Sequence, residues 1–107
     1  MNRLTLATRL DLPAAAPLHA ALLARRGAEL RLDAGAVSHL GTPCLQVLIA
    51  AAAEWREGGR CLTVAPVSDA FATALAAFGL TPDAVQSHPV PARAAEPASF
   101  PETATWA

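Results

Sequence analysis

Lysine is absent from this 107-residue chain, and all eight basic residues are arginine. Nine acidic residues leave a formal net charge of −1. The arginines are scattered rather than clustered. A nucleic-acid footprint or a polybasic membrane patch needs concentrated cations, so neither partner is expected. Arg25 and Arg26, adjacent to one another, read as a helix C-terminus. Abundant Ala with Arg in place of Lys suggests a GC-rich bacterial genome. Aromatics are scarce too: Trp55, Trp106, Phe71, Phe78 and Phe100 are the whole set. The core must therefore come from Leu, Val and Ala, and Ala alone is about a quarter of the chain. Packed alanine lets elements approach closely but buries less area per residue, so modest stability is expected.

No apolar run reaches the roughly 18 residues of a membrane span. The N-terminus lacks the basic region and apolar run of a signal peptide, and the expected location is the cytoplasm. Cys44 and Cys61 stand far apart and outside any Cys-x-x-Cys spacing. They read as reduced thiols used as small apolar residues. No GxxxxGK[ST] or GxGxxG pattern offers a phosphate cradle. His19, His39 and His88 share no metal-ligand spacing. No two carboxylates fall at a catalytic separation, since Glu54 and Glu57 flank Arg56 on an exposed helix side. The expectation is no cofactor, no metal and no enzymatic activity.

What is present is alternation. Leu4 and Leu6 interleave with Thr5 and Ala7, predicting a first strand continuing to about Leu10. Asp11 offers a cap, Pro13 and Pro17 confine a helix start, and Leu18, Ala21, Leu22 and Arg25 recur at helical spacing up to Gly27. Residues 29–33 alternate charge with leucine as a half-buried strand. A second helix is predicted over residues 42–56, with Leu45, Leu48, Ile49, Ala52 and Trp55 on one stripe and Gly58-Gly59 ending it. A third strand covers residues 61–65, broken by Pro66. Ser68 or Asp69 caps a third helix whose core stripe is Phe71, Ala74, Leu75 and Phe78, stopped by Gly79. Leu80 to Val85 reads as a last turn or short strand. Short connections between alternating strands and helices imply a small α/β domain over residues 1–87. Residues 88–107 turn to Pro, Ala, Ser and Thr, the composition of a disordered tail.

The segment 29–48, ELRLDAGAVSHLGTPCLQVL, carries the functional reading. A short strand leads through a loop to Gly41-Thr42-Pro43, which opens an apolar helix. That arrangement aims backbone N–H groups and a hydroxyl at whatever lies above the helix start. Thr42 reads either as N-cap, with Pro43 at the first helical position, or as a partner contact and candidate phosphoacceptor at the positive end of the helix dipole. Asp33 reads as the cap of the following turn or as part of the contact surface. Ser38 and His39 sit in the loop beside Thr42, where His39 is solvated or meets a partner. Cys44 lies where a helix dipole lowers a thiol pKa, but it is predicted to be packed and has no base assigned to it.

These residues resemble the STAS domain, the fold of bacterial anti-sigma factor antagonists. Members of that family show a hydrophobic strand, Asp, small residues and Val, then Asp-Ser-Ser/Ala-Gly-Leu at the start of a helix. Here the corresponding run is Leu32-Asp33-Ala34-Gly35-Ala36-Val37, Ser38-His39-Leu40, and Gly41-Thr42-Pro43-Cys44-Leu45. The run from Val64 to Ser68, and on to Phe78-Gly79-Leu80, is similar to the family's third-helix region. The likeness covers residues 3–86. It implies a mixed β-sheet covered by helices and a partner-binding surface made of Asp33, Ser38, His39, Gly41, Thr42 and Pro43. It also implies a protein partner: an anti-sigma or histidine-kinase-like regulator, or a signalling assembly such as a chemotaxis cluster.

The sequence departs from that pattern in three places. Gly41 stands where the family has Asp, Cys44 where it has Gly, and Pro43 where phosphorylated antagonists carry their serine. Proline has no hydroxyl, so that switch is missing. Thr42 keeps a hydroxyl one residue earlier, as do adaptor members of lipid-transport ABC ATPase complexes, where it touches the ATPase. The resemblance thus leaves two partner classes open.

Overall fold

The computed structural model describes residues 2–88. Its elements alternate: β1 (Asn2–Thr5), β2 (Arg9–Leu10), α1 (Leu12–Leu23), β3 (Leu30–Ala34), β4 (His39–Leu40), α2 (Thr42–Glu57), β5 (Leu62–Val67) and α3 (Asp69–Ala77), followed by a 3-10 turn at Pro82–Val85. β1, β3 and β5 form one parallel sheet with β3 in the middle. An antiparallel bridge from Leu62 to Ser87 lies at its β5 edge and makes the pairing mixed. β2 and β4 form a separate parallel pair. The α/β architecture expected from the alternation is present.

The charge–leucine alternation of β3 has its predicted consequence. Leu30, Leu32 and Ala34 are buried while Arg31 is exposed. They join Leu62 and Val64 of the neighbouring β5, Leu45, Leu48 and Trp55 of α2, and Phe71 and Leu75 of α3 in one continuous cluster. Trp55 closes the lower end by donating its indole N–H to the Ala28 carbonyl at 2.8 Å. Gly27 turns α1 into β3 with φ +90°, and Arg25 donates to the Ala21 carbonyl near the helix end.

Several boundaries differ from those the sequence predicts. The first strand is two strands in two sheets, because the chain leaves β1 after Thr5 and pairs again only at Arg9. Asp11 occupies the cap position of α1 without capping it; its carboxylate faces Arg9 at 3.3 Å. Pro17 lies inside α1 rather than at its start. Pro66 does not break β5, which continues to Val67 through a cis Ala65–Pro66 bond. The register slips between Leu32 and Ala34 of β3 opposite this point, and such an irregularity tolerates a residue with no N–H to donate. Ile49 is 39% exposed and Phe78 46% exposed, so neither belongs to its predicted stripe. Cys44 and Ala51 complete the buried face of α2 instead. α3 ends at Ala77, which turns Phe78 out of the helical repeat. Most of the predicted tail, residues 89–107, lies outside the described residues.

Candidate functional site

The site is a corner where the two small strands hand over to the two longer helices. β2 and β4 pair Arg9 with His39 and Leu10 with Leu40. Leu10 and Leu40 point into the core, which leaves Arg9 and His39 exposed on the other side. Directly after the pair, the Gly41 N–H donates to the Leu10 carbonyl at 2.7 Å. A Cβ at Gly41 would sit 3.3 Å from that same oxygen, so the two segments approach closely here.

The helix begins at Thr42, where the predicted span starts, so Thr42 is not its cap. Gly41 is the N-cap, extended at φ −97° and ψ 167°, and its carbonyl accepts from the Leu45 N–H. Thr42 is therefore the first helical residue and Pro43 the second. The cause is the ladder bond of Gly41, which keeps strand geometry up to that residue and lets helix start immediately after it. α2 has no side-chain cap and no acidic residue in its first turn. Thr42 is exposed, and its hydroxyl is not spent on closing the helix. The positive end of the helix is thus left open to the outside.

Behind Thr42 the surface turns inward quickly. Cys44 is fully buried and its thiol donates to the Asp11 carbonyl at 3.3 Å. Burial first, and then the nearby Asp11 carboxylate, push that thiol above its ordinary value. A nucleophile would need the opposite shift. Along the outer side, Pro43, Gln46, Val47 and Ala50 line an open groove against Ala15, Ala16 and His19 of α1.

The loop before the corner is held from several directions. The Thr8 carbonyl accepts the N–H groups of Ser38 and His39 and the Ser38 hydroxyl. Asp33 Oδ1 accepts the Gly35 N–H at 2.9 Å, and Oδ2 lies 3.8 Å from Arg3. A Cβ on Gly35 would meet Pro66 at 2.9 Å, so the loop lies directly against the end of β5. Ser68 adds two ties: its N–H reaches the Ala34 carbonyl, and its hydroxyl reaches the Val37 carbonyl at 2.6 Å.

Ser38, His39 and Thr42 are thus exposed side by side along this corner, with Gly41 and Pro43 half-buried among them and Leu40 turned into the core. Asp33 stands apart at the base of the loop, where its carboxylate makes the turn. The sequence reading assigned no part in this corner to Arg9, Leu12 or Ser68. Arg9 falls within the single strand predicted up to Leu10, Leu12 is 70% exposed beside Asp11, and Ser68 reads from the sequence only as a cap. Among the described residues, no group of three or more His, Cys, Asp or Glu could hold a metal ion. None of the described helices is long and apolar enough to cross a membrane.

No curated protein and no solved structure matches the chain significantly. A family model described as "Mlab, STAS domain" matches residues 2–85. That match spans the whole sheet, all three helices and the corner at Gly41, and with it the chain belongs to the STAS domain family.

Proposed function

We propose that this protein is a regulatory docking module, of the kind anti-sigma factor antagonists represent, with residues 1–87 as its working unit. It recognises a kinase or another signalling partner, such as a chemotaxis cluster, without a phosphoserine switch. STAS domains are generally non-catalytic modules that mediate protein–protein interactions. The contact surface is the loop over residues 34–40, the Gly41-Thr42-Pro43 turn and the outer side of α2. One observation carries the reading: the start of α2 is uncapped, uncharged and exposed at Thr42, while Cys44 and Leu45 immediately behind it are buried. Pro43 stands where a regulatory serine would be, so binding is constitutive. The raised Cys44 pKa and its lack of a base argue against chemistry at this corner. The proposed setting is the cytoplasm, in keeping with two free thiols.

The exposed Thr42 hydroxyl favours a second reading, an accessory subunit of a lipid-transport ABC ATPase complex. Affinity capture with the tagged full chain from its native host separates the two. A kinase or sigma-factor regulator in the eluate supports the first, and an ATPase with its permease supports the second. Capture of neither, with the chain recovered alone, contradicts the docking role.

A further inference from the structure

Ser68 does two jobs with one oxygen. It accepts the Phe71 N–H at 3.0 Å, which closes the first turn of α3. Its proton goes the other way, to the Val37 carbonyl at 2.6 Å, at the short end for a hydroxyl donor. Val37 is 2% exposed, so its carbonyl has little water to turn to if that donor is removed. Val37 immediately precedes Ser38 and His39. The Ser68 N–H holds Ala34 at the other end of the same loop. Serine at this position thus fastens residues 34–37 to the start of α3, with 31 positions separating Val37 from Ser68.

We propose that Ser68 is the positioning residue of the docking loop, with its hydroxyl proton, rather than its capping oxygen, setting where Ser38 and His39 stand. This rests on the docking reading only for the word docking; the mechanical link is a property of the chain alone. Capping needs an acceptor, and loop-holding needs a donor. Three substitutions in the full chain separate them. Ser68→Ala removes both functions. Ser68→Asp keeps an acceptor for Phe71 but has no proton for Val37 and sets a carboxylate against its carbonyl. Ser68→Thr keeps both.

Amide hydrogen exchange followed by NMR reads each end separately and needs no partner. In Ser68→Asp, exchange at Val37, Ser38 and His39 rises about tenfold, as expected for one lost hydrogen bond. Phe71 and Ala72 of α3 stay protected in that variant. Ser68→Thr returns the loop to the rate of the unmodified chain, and Ser68→Ala raises exchange at both ends. Loop exchange unchanged in Ser68→Asp overturns the proposal. So does a rise in which loop and α3 move together, since that marks Ser68 as a cap alone. Should Ser68→Ala not fold, the Asp and Thr variants carry the test. Failure of partner capture would refute the docking reading and leave this exchange result unaffected.

Discussion

Helices α2 and α3 start in nearly the same way and end up in opposite situations. Both follow an extended residue at the end of a strand. At α3, Ser68 caps the helix with its side chain and Asp69 places a negative charge in the first turn. At α2, Gly41 provides no side chain and the first turn holds no acid. A capped, acid-bearing start is complete within the protein. An uncapped one exposes N–H groups and partial positive charge to whatever approaches. The fold therefore spends its polar side chains at α3 and withholds them at α2. The docking proposal rests on that difference between two helix starts within one small domain.

The largest expected effect bears on how the loop before α2 is seated. Gly35→Ala places a methyl 2.9 Å from Pro66 and 3.2 Å from Asp33 Oδ1. Overpacking of this kind costs about 1–3 kcal/mol and should show as a drop of several degrees in melting temperature. Alkylation comes next and sharpens the contrast between the outside and the inside of the α2 start. Cys61 is half-buried and Cys44 fully buried with a raised pKa. Iodoacetamide should modify Cys61 about tenfold faster or more, as thiolate access dictates. Equal rates would mean that the first turn of α2 opens readily.

The next effect compares the two helix starts directly. Ser68→Ala should cost about 1–2 kcal/mol in chemical denaturation, because it removes the N-cap and the donor to the Val37 carbonyl together. Thr42→Ala should cost less than about 0.5 kcal/mol, as at an ordinary surface position. Equal losses would break the distinction between them.

Much of this was legible in the sequence because the period was clean. The alternation in residues 29–33 fixed the buried face of β3, and Gly27 and Gly79 each marked a turn at positive φ. Ser68 was readable as a cap because serine before an apolar repeat has that chemistry. The failures share a cause: each depended on pairing between distant segments. Thr42 looked like the cap until the bond from Gly41 to Leu10 placed the cap at Gly41. Residues 4–10 looked like one strand because nothing local marks the change of partner. Pro66 looked like a breaker because the register slip beside it belongs to β3 as much as to β5. Ile49 and Phe78 are apolar residues at the margins of their helical faces, where spacing alone does not decide burial. For the site, the sequence supplied the strip from Ser38 to Pro43. It gave no hint of Arg9 or of the tie from Ser68 to Val37, both of which cross between elements.

The central claim is that the start of α2 meets a partner and contributes little to the fold. It is tested most directly by Thr42→Glu, assayed in parallel for melting temperature and for affinity to the captured partner. A carboxylate in the first turn of an uncapped helix should stabilise it, by about 0.3–1 kcal/mol. The same charge and bulk, buried in an interface without a counterpart, should weaken the complex about tenfold or more. A protein as stable as before, or slightly more so, that has lost its partner is the expected result. Unchanged affinity in the titration would remove this corner from the interface and contradict the account.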